Sequence, residues 1–224
     1  GRTTTAPSAG TWYDNASLGF AVTYTTSTGA TARGYVTAAH FDECKPSSGI
    51  VLASCTVNQP ATEVASGATL NFVRQNFTTD HDVELRTTSS SAIAPTNVVR
   101  YGGGAYAYTS YAITGTGIFS ISYPVCKQGQ STFYTCGTVA DTAALVSDAN
   151  SGLYGRFVRI QPNSGTPKMA DHGDSGGPVF AGGGLAMGLT TAAFLDPSSP
   201  FYNQMVSMPI SRLSGVSASV LTVP

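Results

Sequence analysis

Two segments of this chain hold residue types that could together attack a carbonyl carbon. Ser175 lies in the sequence Gly-Asp-Ser-Gly-Gly-Pro at 173–178, and His40 follows Thr-Ala-Ala at the end of a predicted strand. A serine hydroxyl becomes a good nucleophile when a base within hydrogen-bond reach accepts its proton, and imidazole has a pKa suited to that role. The pair therefore predicts attack by Ser175 with His40 as the general base. The alternative is a glycine-rich hairpin turn with an exposed serine.

The glycines around Ser175 fit the same chemistry. Gly173 leaves room for a substrate and can aim its backbone N–H at the point that the N–H of Ser175 also faces. Two such donors form an oxyanion hole, and removing one typically costs about 3–4 kcal/mol of transition-state stabilisation. Gly176 and Gly177 permit a sharp backbone path behind the nucleophile, where a Cβ would clash. We therefore expect Gly173 and Ser175 to provide the oxyanion hole.

A buried carboxylate between the histidine and the serine would hold the imidazole in one tautomer. The segment 79–86 offers two aspartates, Asp80 and Asp82. We prefer Asp82, because the apolar Val83 and Leu85 follow it and predict a strand that begins there. Asp80 remains the alternative, and the histidine between the two aspartates is expected to be a loop residue without a catalytic role.

The order His40, Asp82, Ser175 resembles that of the chymotrypsin-like secreted serine endopeptidases. Within that group the chain is most similar to the bacterial streptogrisin and α-lytic protease branch. The resemblance includes a paired-cysteine hairpin at 125–139 and the Gly-Leu-Thr-Thr strand at 188–191. It covers most of the chain and is weak between about residues 55 and 123. It implies an all-β fold of two packed antiparallel six-stranded Greek-key β-barrels, and helical signals at 211–220 allow a short C-terminal helix.

The strand pattern divides the chain near the glycines at 102–104. Residues 1–104 are predicted to form an N-terminal barrel that carries His40 and Asp82, and residues 105–224 a C-terminal barrel that carries Ser175 and the substrate pocket. The segments 18–24 and 34–37 flank a turn and predict a hairpin. Further predicted strands, bounded by glycine, proline, asparagine or serine, lie at 69–72, 118–123, 157–160 and 185–190.

The cysteines depart from the pattern of the family. Its members usually place a disulfide beside the catalytic histidine, but Ala16 and Phe41 occupy the corresponding places here. The four cysteines allow three pairings. We expect Cys44–Cys55 and Cys126–Cys136, each closing a loop of about ten residues and contributing roughly 2–3 kcal/mol. A zinc site is disfavoured because the cysteines lie in two distant pairs and no Cys-x-x-Cys occurs, so no metal or other cofactor is expected.

The aspartate before the nucleophile, Asp174, is expected to need a cation. Trypsin-like relatives use a freed N-terminal amine after an Ile-Val-Gly-Gly type sequence, whereas this chain begins Gly-Arg-Thr-Thr-Thr. The bacterial branch uses an internal arginine, and Lys127 aligns with it, giving a point charge without the arginine fork. The alternative is a solvated Lys127, with Asp174 satisfied by backbone N–H groups.

The resemblance also assigns the primary substrate pocket, which holds the side chain before the cleaved bond. Met169 stands where a trypsin carries its acidic residue, which predicts a preference for apolar side chains. Asp171 would favour basic side chains instead if it turned inward. Ala193 replaces a usual glycine and would narrow the entrance, so aliphatic and aromatic side chains compete, with graded preference. The assigned pocket residues are Met169, Ala170, Asp171, His172, Thr191, Ala192 and Ala193.

Composition excludes several classes of function. With 10% charged residues and a net charge of -1, there is no basic stripe for nucleic acid, and no run of about 18 apolar residues that could span a membrane. Paired cysteines indicate an oxidising compartment, and the chain is expected to be mature, with a leader and a pro-segment removed. We therefore expect a secreted, monomeric endopeptidase acting on polypeptides. An inactive protease-fold binding module and an esterase-type acyl hydrolase are the alternatives.

Overall fold

The computed structural model describes residues 2–5, 14–42, 58, 60–103, 106–148 and 151–223. Strands from the first part of the chain and one late strand form a mixed-length, eight-stranded sheet in the order β17-β3-β4-β7-β6-β5-β1-β2. The hairpin predicted around residues 27–30 is its β3–β4 pair, in which Ala21 lies opposite Tyr35. The strands of this sheet are β1 (Arg2–Thr5), β2 (Asp14–Ser17), β3 (Ala21–Thr25), β4 (Thr31–Thr37), β5 (Ala61–Glu63), β6 (Thr69–Thr78), β7 (His81–Thr87) and β17 (Ala218–Val220).

The second sheet closes on itself. Its order is β10-β15-β14-β11-β12-β13-β16. An additional β15–β16 pairing closes the six strands from β15 to β16 into a barrel, and β10 pairs with the outside of β15. A separate antiparallel hairpin, β8 (Val98–Gly103) with β9 (Tyr106–Ala112), precedes it. The remaining strands are β10 (Gly115–Thr116), β11 (Pro124–Gln128), β12 (Tyr134–Asp148), β13 (Leu153–Pro162), β14 (Pro178–Ala181), β15 (Leu185–Ala193) and β16 (Met205–Pro209). The predicted all-β, chymotrypsin-like fold class is confirmed.

The two sheets share one apolar core. Val83 and Leu85 of β7 are fully buried in the same cluster as Phe157 of β13, Leu189 of β15 and Leu213. Burying a side chain of this size typically stabilises the folded state by about 1.5–3 kcal/mol. The cluster therefore fixes the strands that carry the candidate catalytic residues relative to one another.

Two predicted segments differ from the structure. The helical segment expected at 211–220 is a 3-10 helix at Ile210–Val216, and Ser217 ends it with a left-handed φ of 48° before β17 begins. Residues 118–123 form no strand: Ser122 has a φ of 65° and the side chain of Ile118 is 89% exposed. Their β-branched side chains predict a strand, but the segment turns back on itself, since Tyr123 N–H donates to the Ser120 carbonyl. Among the described residues it shares just two backbone hydrogen bonds with β12, both at Val139. The other 3-10 turns are His40–Asp42 and Ser91–Ile93.

Candidate active site

Asp82 makes two hydrogen bonds to His40 and a third to the residue before it. Its Oδ2 atom lies 2.8 Å from His40 Nδ1, and its Oδ1 atom accepts the backbone N–H groups of Ala39 and His40 over 2.9 and 3.0 Å. Asp82 is fully buried near the start of β7, next to β4, which leads into the turn that carries His40. The carboxylate therefore fixes both the ring orientation and the Nδ1–H tautomer of His40.

The other ring nitrogen of His40 faces Ser175. His40 Nε2 lies 2.9 Å from Ser175 Oγ. The backbone of the serine loop is held from both sides: Ser17 N–H donates to the Ser175 carbonyl, and Gly176 N–H donates to the Thr190 carbonyl, each over 2.7 Å. The structure thus brings together the three residues that the sequence predicts as a catalytic triad.

Asp80, the alternative aspartate, lies elsewhere. It occupies the turn between β6 and β7 with a left-handed φ of 69°. Its Oδ1 atom accepts the backbone N–H of Arg156, and its own N–H donates to the Tyr154 carbonyl over 3.1 Å. Arg212 donates to the Asp80 carbonyl over 2.6 Å. Asp80 therefore joins the first sheet to β13 and does not contact the histidine.

The predicted oxyanion donors have unused N–H groups. Among the described residues, no acceptor takes the backbone N–H of Gly173 or of Ser175. Gly173 has a φ of 92°, a conformation that L side chains rarely adopt, and a Cβ there would collide with Gln130 Nε2 and Ser131 Oγ. The donors belong to Ser175 itself, the candidate nucleophile, and to the residue two positions before it, so both lie in the same loop as the attacking hydroxyl.

Lys127 and Asp174 form a buried ion pair. Lys127 Nζ lies 2.8 Å from Asp174 Oδ2, and both side chains are fully buried. Lys127 also donates to Thr132 Oγ1 and, over 3.2 Å, to the Phe133 carbonyl. Burial lowers the pKa of Lys127, while the Asp174 carboxylate opposes that shift. The carboxylate in turn accepts backbone N–H groups of Ser131 and Thr132 over 2.7 and 3.2 Å. Asp174 is therefore bound both by the Lys127 cation and by backbone N–H groups, the two alternatives that the sequence offers.

The residues assigned to the substrate pocket divide by exposure. Met169, Ala170 and Thr191 are buried, Asp171, Ala192 and Ala193 are half-buried, and His172 is exposed. Met169 belongs to an apolar cluster inside the second barrel, and its N–H donates to the Asn203 carbonyl over 2.9 Å. The part of the assigned pocket nearest the core, formed by Met169 and Ala170, is therefore apolar and uncharged.

The carboxylate of Asp171 is already paired. Asp171 Oδ2 lies 2.8 Å from Lys168 Nζ, with the two side chains 34% and 36% exposed. Its Oδ1 atom accepts the N–H of His172 over 2.8 Å. The hydrogen bond from Lys168 is the main cause that lowers the pKa of Asp171. Asp171 thus remains ionised with a partner at the surface.

Sequence reasoning missed a buried ion pair behind the histidine. Arg86 Nε donates to Glu84 Oε1, and Arg86 Nη1 donates to the Leu70 carbonyl over 3.1 Å. The Arg86 guanidinium carbon lies 5.3 Å from the ring centroid of Phe41, the residue after His40. Charged residues at alternate strand positions usually indicate a solvent-facing side, so the sequence held no signal for this burial.

The predicted Cys126–Cys136 disulfide is present, across directly opposed residues of β11 and β12. Cys44 and Cys55 lie outside the described residues. Within the described ranges, no group of three or more histidine, cysteine, aspartate or glutamate side chains could hold a metal ion. In the same ranges, no helix has the length and apolar character needed to cross a membrane.

A family model described as Trypsin matches residues 9–213. No curated protein sequence matches the chain at a significant level.

Solved structures of bacterial proteases share the fold at low sequence identity. Thermobifida fusca protease A matches with a TM-score of 0.67 at 23% identity, over 96% of this chain and 94% of that chain. Nocardiopsis protease matches with a TM-score of 0.68 at 22% identity, over 99% and 96% of the two chains. Cellulomonas bogoriensis chymotrypsin matches with a TM-score of 0.60 at 21% identity, over 92% and 90%.

Proposed function

The chain belongs to the trypsin family of serine endopeptidases, and we propose that it is a secreted enzyme that cleaves polypeptides through Ser175, His40 and Asp82. We further propose that residues 1–104 supply His40 and Asp82 and that residues 105–224 supply Ser175 and the substrate pocket. The disulfide between Cys126 and Cys136 supports secretion, because such bonds persist in oxidising compartments.

One observation carries this proposal: an unbroken line of hydrogen-bonding atoms from Asp82 through His40 to Ser175. The two links measure 2.8 and 2.9 Å, within the range that proton transfer between heavy atoms requires. A binding module that had lost catalysis would have no need for this alignment.

The geometry supports acyl transfer in two steps. Ser175 Oγ bonds to the carbonyl carbon of the substrate while His40 Nε2 takes its proton, and the carbonyl electrons move to an oxygen that the N–H groups of Gly173 and Ser175 bind. His40 then gives the proton to the leaving amine nitrogen as the C–N bond breaks. A water molecule, deprotonated by His40, releases the acyl group from Ser175 in the reverse sequence.

Apolar side chains before the cleaved bond fit the pocket residues best. Met169 and Ala170 are buried and uncharged, so a charged substrate side chain would lose hydration without gaining a partner. The pairing of Asp171 with Lys168 removes the carboxylate that could have attracted lysine or arginine. We therefore propose cleavage after leucine, methionine, valine or phenylalanine.

Fluorophosphonate labelling combined with peptide hydrolysis tests the proposal. The wild type is expected to be labelled at Ser175, and Ser175→Ala or His40→Ala to lower kcat by roughly 10⁴–10⁶ with little change in folding. Ser214→Ala is the matched control, because Ser214 is an exposed serine whose hydroxyl bonds only within its own helical turn. Hydrolysis retained by Ser175→Ala would refute the mechanism, and hydrolysis of esters but not peptides would indicate an esterase.

A further inference from the structure

Serine hydroxyls hold the peptide groups on both sides of Gly173. Ser131 Oγ, in the loop between β11 and β12, donates to the carbonyl oxygen of His172. Ser17 Oγ, at the end of β2, donates to the carbonyl oxygen of Gly173 over 2.9 Å. One serine lies in a loop between two strands of the second sheet and the other ends a strand of the first, yet both bind peptide groups that flank the same glycine.

The contact with His172 determines where the Gly173 N–H points. The carbonyl of His172 and the N–H of Gly173 belong to one planar trans peptide group, so they point in opposite directions. Because Ser131 binds the carbonyl on one side, the N–H is directed to the other side, where no protein acceptor in the described ranges takes it. An oxyanion donor needs this orientation.

Without such a contact this peptide group could rotate. Gly173 has a φ of 92°, and glycine populates both signs of φ at little cost in energy. Rotation of the 172–173 peptide would replace the N–H with a carbonyl oxygen. That oxygen would repel the negative charge that develops on the substrate, so the rotated form could not stabilise the transition state.

Ser17 restrains the next peptide group from inside the protein. The residue is only 2% exposed, its Oγ atom accepts the N–H of Gln130 over 2.9 Å, and its own N–H donates to the Ser175 carbonyl over 2.7 Å. The Ser17 hydroxyl therefore donates once and accepts once, which leaves its proton one favourable direction, toward the Gly173 carbonyl.

We propose that Ser17 and Ser131 are positioning residues that hold the Gly173 peptide in the orientation that binds the oxyanion. The proposal rests on the proposed function, and both residues act through Gly173. Loss of the Ser131 hydroxyl lets the 172–173 peptide divide its time between two orientations, of which one is active. The expected result is a lower kcat with an unchanged KM, because the substrate pocket is not altered.

The first test compares Ser131→Ala with Ser131→Thr, which keeps a hydroxyl. Ser131 is exposed, so neither variant removes core packing. Loss of one ordinary hydrogen bond predicts a fall in kcat of about 3- to 10-fold for Ser131→Ala, well short of the 10²–10³-fold typical for deletion of an oxyanion donor. Ser131→Thr is expected to keep most of the activity. Ser214→Ala, which also loses a serine hydroxyl bonded to a backbone carbonyl, is expected to match the wild type.

The second test uses two inhibitors that differ in one respect. A peptide aldehyde adds Ser175 to its carbonyl and forms an oxyanion, whereas the corresponding peptide alcohol cannot. Ser131→Ala is expected to weaken inhibition by the aldehyde by the same factor as kcat and to leave inhibition by the alcohol unchanged. Ser17→Ala carries the same expectation, and if it does not fold, Ser131→Ala alone decides.

Two results would overturn this inference: unchanged kcat and aldehyde affinity in Ser131→Ala, or an equal loss of affinity for both inhibitors, which would indicate a general structural effect. A wild type that neither hydrolyses peptides nor reacts with a fluorophosphonate would instead refute the proposed function, so the two failures are distinguishable.

Discussion

The ammonium group of Lys127 lies 2.8 Å from the carboxylate of Asp174, with both side chains fully buried. Asp174 is bonded directly to Ser175, the proposed nucleophile, and Lys127 supplies from within the second barrel the cation that trypsin-like relatives take from a freed N-terminus. A lysine can lose its proton within the range of alkaline buffers, whereas an arginine stays charged throughout that range because its pKa is higher. The identity of the cation therefore determines how the site responds to pH.

We expect activity to fall on the alkaline side earlier than it does for a Lys127→Arg variant. Burial lowers the pKa of Lys127 from 10.5, so its ammonium is lost at lower pH than that of an exposed lysine. Asp174 then keeps a buried charge without its cation, and the serine loop loses its geometry. The measurement is kcat from pH 7 to 11 for both proteins, and superimposable alkaline limbs would contradict the expectation.

The lowered pKa of Lys127 affects stability in the opposite direction to activity: as pH rises, activity is expected to fall while this group's contribution to stability rises. Because the pKa of Lys127 is lower in the folded state, the unfolded chain binds the extra proton between that pKa and 10.5, and linkage makes this group's contribution to the unfolding free energy rise with pH there. Circular dichroism is therefore expected to show folded protein where activity is lost. Lys127→Met, which removes the cation at every pH, is expected to cost about 3–5 kcal/mol of unfolding free energy.

The two aspartates of the 79–86 segment are expected to respond in different ways. Asp82→Asn should lower kcat by about 10⁴ near neutral pH, because an amide favours the wrong tautomer of His40. Asp80→Asn keeps an oxygen acceptor and tolerates the left-handed backbone, so kcat should stay within about twofold. Asp80→Ala should lower the unfolding free energy by about 1–2 kcal/mol instead. A larger loss of kcat in Asp80→Asn than in Asp82→Asn would move the triad to Asp80.

The sequence-based predictions agree best with the structure at residues that lie in a distinctive sequence context. The glycines around Ser175 indicate that residue, and the apolar strand pattern after Asp82 indicates the aspartate. Few other sequences allow both the sharp turn behind a nucleophile and a buried carboxylate at the start of a strand. The contact of Ser17 with Gly173 joins residues 156 positions apart, and a serine hydroxyl has no distinctive sequence context. Burial of Arg86 also escapes prediction, since it depends on a carboxylate and a ring that only the tertiary fold places beside it.

Both disulfides are expected to form in the mature protein. Peptide mapping without reduction should find Cys126–Cys136 and Cys44–Cys55, and free thiols or a Cys44–Cys126 link would contradict this. Replacing Cys126 and Cys136 together by serine should lower the unfolding free energy by about 2–3 kcal/mol, because the bond closes a short loop in the unfolded chain. The midpoint of denaturant unfolding measures that loss.

Lys168 is expected to suppress cleavage after basic residues. Its ammonium group occupies the Asp171 carboxylate, so Lys168→Ala should free that carboxylate and raise cleavage after lysine and arginine relative to leucine in a mixed peptide library. The double variant Lys168→Ala with Asp171→Asn should restore the apolar preference, since it removes the acceptor. A wild type that already prefers lysine or arginine would show that Asp171 faces the pocket despite its partner.

The pairing of β17 with β3 has a consequence for biosynthesis. Ala218 lies opposite Tyr24 and Val220 opposite Val22, so an edge of the first sheet is contributed by residues almost 200 positions later in the chain. A ribosome that has delivered β3, β4 and β7 has not yet made β17, the strand that pairs with the outer edge of β3. Contacts of such long sequence separation slow folding, and β3 presents an unpaired edge to other nascent chains during that interval. The exposure of this one strand during synthesis, more than the stability of the finished protein, would then set how much of the chain reaches its native state.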